Sequence, residues 1–161
     1  MTSSLPRPLR RSELPADTAT LARFLIGKSV VRIVPDGAMA GRIVETEAYP
    51  VGDASCHAFN GKTARNASLF LERGHAYVYF TYGMWQMLNV SSESEGVGAG
   101  VLIRAIEPVL GVGLMARNRP GIGIIGISVI AAGPGRLCQA MEIGPELNGI
   151  DLCRRGPAWL G

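Results

Sequence analysis

Apolar positions recur along the chain in two periods. From Asp17 the residues Leu21, Phe24 and Leu25 fall on one helical face, Asp17 can cap the N-terminus, and Gly27 can close the helix in the left-handed conformation, which predicts a helix over 17–26. Ser29 to Pro35 is rich in β-branched residues, Asp36-Gly37 is a turn signal, and β character resumes from Gly41 to Tyr49, which predicts a hairpin. Further strand-like runs cover Ala76 to Tyr82, Trp85 to Ser91 and Gly100 to Ile106, suggesting an antiparallel sheet. Pro108 suits the first turn of a helix reaching about Ala116, and a second helix is expected after Gly133-Pro134-Gly135, to about Ile143. Pro50 to Asn66 holds few large apolar residues and reads as a long functional loop. From Gly144 onward no element can be named. The coarse class is α+β.

Length and composition narrow this picture. A chain of 161 residues with 47% apolar content fits one domain with its own core. The first 16 residues, rich in Ser, Pro and Arg, read as a disordered arm, with the folded domain spanning 17–161. The longest apolar stretch, Gly121 to Ala132, is broken by glycines and a serine and is well short of the ~20 residues of a spanning helix, so no membrane role is expected. Cys56, Cys138 and Cys153 lack C-x-x-C spacing, so neither a disulfide framework nor a metal site is indicated. The formal charge of +3 fits nucleic acid without requiring it. Fourteen of the sixteen basic residues are Arg, which suits bidentate phosphate contacts but also follows from a GC-rich genome.

Candidate chemistry concentrates in three places. Strand alternation puts Ile43, Glu45, Glu47 and Tyr49 on one face of the second hairpin strand, and Val44, Thr46 and Ala48 on the other, core-facing side. On periodicity alone Glu45 and Glu47 are equivalent and read as solvated charges. In Tyr77 to Trp85, five of nine residues are aromatic although the chain is 6% aromatic. A core ladder, a dimer contact or a stacking site would each explain that density. Arg104 interrupts the apolar run V-L-I-R-A-I and must find a partner, with Glu45 or Glu47 the natural candidate. An Arg beside a carboxylate keeps it ionised and helps it orient water, as a general base requires.

The segments R-I-V-E-T-E-A-Y, D-A-S-C-H, R-N-A, Y-V-Y-F-T-Y-G-M, L-N-V, L-I-R-A-I-E-P and G-P-G-R-L-C-Q-A resemble, in order and approximate spacing over about residues 20–152, the methylpurine (alkyladenine) DNA glycosylase family. The resemblance implies a single domain with a curved antiparallel sheet and surrounding helices. It implies a monomer that binds duplex DNA, flips a damaged purine out of the stack and hydrolyses its N-glycosidic bond. By the same resemblance Glu47 is the base that activates water and Arg104 its neighbour. Tyr49, His57, Tyr79 and Asn89 line the base pocket, and Tyr82, Met84 and Trp85 form the wedge. Lys62 and Arg65 are weaker candidates for phosphate contact. No cofactor is implied, and the compartment is the one that holds DNA: cytoplasm and nucleoid in a bacterium, the nucleus in a eukaryote.

With only Lys28 and Lys62 as side-chain amines, Schiff-base strand cleavage is not expected. The chain departs from the family pattern in three respects. It stops at Gly161, where family members run some tens of residues further; its turn reads G-M-W-Q; and residues 117–132 are apolar where a polar connection is expected. A non-catalytic damaged-DNA-binding protein with a truncated C-terminus is the alternative reading.

Overall fold

The computed structural model describes residues 4–122 and 124–161. It is a single α+β domain whose six strands form one antiparallel sheet. The strands are β1 (Ser29–Val34), β2 (Gly37–Tyr49), β3 (Ala76–Thr81), β4 (Trp85–Ser91), β5 (Gly100–Leu110) and β6 (Ala158–Leu160). Their order across the sheet is β3-β4-β5-β2-β1-β6. Two hairpins, β1–β2 and β3–β4, are therefore joined side by side through β5. Among the described residues three α-helices complete the fold: α1 (Thr18–Leu25), α2 (Val112–Asn118) and α3 (Pro134–Ala140).

Helix α1 forms as its capping residues require. The Asp17 side chain accepts from the Thr20 amide at 2.8 Å, and the chain leaves through Gly27 at φ +84°. Leu21, Ala22 and Leu25 are buried beneath the sheet, where each leucine contributes about 1.5–3 kcal/mol by leaving water. Leu137, Cys138 and Ala140 of α3 complete the same core from beneath β4 and β5.

Three expectations change. Pro108 lies inside β5 rather than opening a helix, and α2 begins only after Gly111. A proline is tolerated there because β4 pairs β5 only as far as Leu102, which leaves that side of β5 without a continuous ladder. Gly111 is required at the junction: its φ is +72°, and a Cβ would collide with the Ala38 carbonyl. Helix α3 starts at Pro134 itself and ends at Ala140, three residues short of Ile143.

The stretch expected to be a disordered arm is packed against the domain from Leu5 on; the first three residues lie outside the described residues. Leu9 and Leu14 join the core, the Leu9 amide donates to the Leu160 carbonyl at 2.8 Å, and Trp159 Nε1 donates to the Pro6 carbonyl at 3.0 Å. The arm thereby covers the β6 edge of the sheet. The tail after Gly144 supplies a 3-10 turn, Pro145–Leu147, and β6.

The candidate active site

The parity of β2 changes along its length. Ile43 is fully buried in the core, yet Val44 is 50% exposed, while Thr46 donates to the Ala22 carbonyl of α1 at 2.9 Å and Ala48 packs on the core. The expectation that Val44 faces the core is thus corrected, and Ile43 is not on the face of the carboxylates. Register shifts between Ile43 and Glu45 and between Glu45 and Thr46 account for it. Strand β5 shifts in step, burying both Ile103 and Ile106, three residues apart. These irregularities return both strands to the core while directing Glu45, Glu47 and Arg104 away from it.

Arg104 is held between the two carboxylates. Its NH1 group donates to Glu47 Oε2 at 2.7 Å and its Nε to Glu45 Oε1 at 3.3 Å. Partial burial works against the guanidinium charge, but the two carboxylates outweigh it and push its pKa up. The partner that sequence reasoning required for Arg104 is therefore both glutamates at once.

The chain turns from Glu47 directly into an aromatic cleft. Tyr49, Ser55, Cys56, His57, Leu69, Tyr77, Tyr79, Asn89 and Gly100 line it, and it holds about 320 Å³ with its open mouth included. Tyr77 and Tyr79 share a face of β3 and stack with centroids 5.2 Å apart, and the His57 ring lies 4.4 Å from that of Tyr79. Asn89, opposite Tyr77 in the β3–β4 register, is 5% exposed and donates to the Tyr77 carbonyl at 3.3 Å. Gly100 keeps the floor open: a Cβ there would lie 2.7 Å from Leu69 Cδ2.

Burial sets the protonation of this cleft. It pushes the Tyr77 phenol up to about 12, and it also pushes Tyr49 up to about 12, with the neighbouring Glu47 carboxylate adding to the effect. His57 is pushed down, first by burial and then by the Arg65 charge. The Tyr77 hydroxyl and His57 Nδ1 lie 2.9 Å apart in a hydrogen bond; in the Nε2-protonated tautomer of the imidazole Tyr77 is the donor and Nε2–H is left for another partner. Burial likewise raises the Cys56 thiol, which disfavours the thiolate.

Tyr77 opens the aromatic run noted in the sequence and shares the β3 face with Tyr79, but it was given no place in the pocket there. Asn66 was also passed over. Its side-chain oxygen accepts from the Thr63 amide at 2.6 Å, and its Nδ2 donates to the His57 and Gly61 carbonyls, each at 2.9 Å. It pins the 50–66 loop in place and with it His57. Lys62 is exposed on that loop, and the exposed Arg65 donates to the Phe80 carbonyl at 3.2 Å.

At the β3–β4 turn, Tyr82 has φ +51° and Gly83 φ +66°, and the Met84 amide donates to the Thr81 carbonyl at 3.2 Å. Positive φ at both central residues is the hairpin geometry that matches strand twist. A tyrosine at the first of them costs roughly 1–2 kcal/mol. The backbone thus holds an 86% exposed Tyr82 at the apex, with Met84 exposed beside it. Trp85, expected in the same wedge, is set back: its indole lies against Gly135 of α3, where a Cβ would approach it to 2.6 Å. Among the described residues no cluster of His, Cys, Asp and Glu could hold a metal ion, and no helix is long and apolar enough to cross a membrane.

A family model described as methylpurine-DNA glycosylase matches residues 12–161. Proteins of Mesorhizobium japonicum, Paraburkholderia phytofirmans and Methanocella arvoryzae, each named "Putative 3-methyladenine DNA glycosylase", are 62%, 53% and 49% identical to this chain. The matches cover 95%, 96% and 89% of this chain and 72%, 71% and 71% of the respective relatives.

Proposed function

The chain belongs to the methylpurine-DNA glycosylase family, and on that premise we propose that it excises alkylated or deaminated purines from duplex DNA as a monofunctional glycosylase. The observation that carries this reading is the Arg104–Glu47 pair on β2 and β5, two residues along β2 from Tyr49, which lines the aromatic cleft.

In this reading Tyr82 and Met84 enter the stack where the lesion leaves it, and the flipped base enters the cleft between Tyr49, His57 and Tyr79. A cationic alkylated purine gains from aromatic faces on both sides. The His57 Nε2–H offers a donor to a base heteroatom, and the buried Asn89 crowds an exocyclic amine such as that of guanine. Glu47, oriented by Arg104, accepts a proton from water as the water oxygen bonds to C1′ of the deoxyribose. The C1′–N bond breaks with its electron pair going to the base, leaving an abasic site. Neither lysine sits among these groups: Lys28 lies over the Phe24 ring of α1 and Lys62 is on the outer loop.

The test is single-turnover incubation with duplexes carrying methylated purine, ethenoadenine or hypoxanthine, reading abasic sites by alkaline cleavage. The parent should release at least one of these bases, and Glu47→Gln should be slower by roughly a thousandfold while still binding. Binding without release by the parent selects the damage-binding alternative. Covalent trapping with borohydride would refute the monofunctional assignment.

A further inference from the structure

The role of Glu45 follows from how Arg104 meets its two partners. Arg104 reaches Glu47 with a single donor, to Oε2 only, while its Nε is turned toward Glu45. A guanidinium with one carboxylate neighbour prefers the bidentate fork, which occupies both oxygens. That arrangement would engage both Glu47 oxygens, so that water would share each of them with the guanidinium. Glu45 prevents it by engaging the Nε–H edge, and the paired register shifts around Glu45 place it on the same outer face as Glu47.

We propose that Glu45 is a positioning residue that holds Arg104 in a one-donor contact with Glu47, keeping the second Glu47 oxygen clear of the guanidinium. This deepens the glycosylase reading and rests on it for its kinetic consequence. Stability gives no competing reason for the contact: the Glu45 side chain is 59% exposed, and such ion pairs add little to folding.

The experiment compares Glu45→Ala, Glu45→Gln, Arg104→Ala and the Glu45→Ala/Arg104→Ala double variant in single-turnover excision with saturating protein, with melting temperatures checked for each. Glu45→Ala should lose about tenfold in rate with unchanged DNA affinity. Glu45→Gln, which keeps an acceptor for Nε–H, should lose no more than about threefold. In the Arg104→Ala background the Glu45→Ala change should cost nothing further, because its effect passes through Arg104. Additive losses, or a Glu45→Ala protein as fast as the parent, would overturn the assignment.

A second readout does not depend on catalysis. The Arg104 Nε resonance of the free protein should move in Glu45→Ala. An unmoved resonance overturns the contact itself, whereas a moved one in a parent that releases no base keeps the geometry and refutes the glycosylase reading alone.

Discussion

The two hairpins of the sheet hold their chemistry-bearing side chains by different means. On β1–β2, Glu45 and Glu47 are partly solvated charges whose placement depends on one ion-paired arginine from β5 and on a change of strand parity. On β3–β4, Tyr77 and Tyr79 need no partner from another hairpin to stand together: they share a strand face, stack, and rest on a small cluster with Cys56, Ala58 and Leu69. The proposed bond-breaking groups thus hang on electrostatics, and the proposed recognition groups on burial. Substitution in the first hairpin should therefore damage rate, and in the second affinity and fit.

Five substitutions can break or sharpen that contrast. The largest effect is expected for Arg104→Ala, a loss of roughly a hundredfold in single-turnover excision with DNA affinity changed less than about threefold. A matching loss of affinity would show that Arg104 serves binding instead. Tyr82→Ser should weaken binding to lesion duplex by about tenfold and abolish the fluorescence change of an unstacked 2-aminopurine beside the lesion, since one stacking contact is worth ~1–3 kcal/mol. An undiminished signal would remove Tyr82 from the wedge.

Tyr77→Phe removes the hydroxyl bonded to His57 Nδ1 and should weaken binding to lesion duplex about fivefold, in line with ~1 kcal/mol for a hydrogen bond. His57 also makes a pH prediction. Because its folded pKa is depressed, its contribution to stability is present above the unfolded value of 6.5 and lost as pH falls through the lower folded value. Melting curves from pH 8 to pH 5 should therefore fall more steeply for the parent than for His57→Gln; equal slopes would contradict the neutral imidazole. The smallest effect belongs to Val44→Ser, expected within about 0.5 kcal/mol of the parent in urea unfolding. A loss of several kcal/mol would mean that Val44 is packed and the parity shift absent.

Much of the molecule was legible before folding was considered, because it rests on short-range rules. The Asp17 cap, the Gly27 exit and the β1–β2 and β3–β4 hairpins depend on residues at most a few positions apart. The need for an Arg104 partner followed from desolvation alone, and Tyr49, His57, Tyr79 and Asn89 do meet in one cleft. Strict alternation was misled at Val44, since no local signal marks a bulge that two strands share. Pro108 reads locally as a helix start, and only the absence of a β4 partner at that height makes it a strand residue. Trp85 looked like part of the tip until Gly135 of α3, fifty residues away, gave its ring a flat surface.

What the chain determines by itself, then, is which residue types are available and which of them share a turn or a strand face, because those relations are set by backbone geometry over a few residues. Which donor of Arg104 meets each glutamate, whether Tyr77 or water satisfies His57, and how residues 4–16 are used were decided by tertiary structure. Each of those outcomes depends on the distance between segments far apart in sequence, and that distance exists only once the sheet has closed over its core.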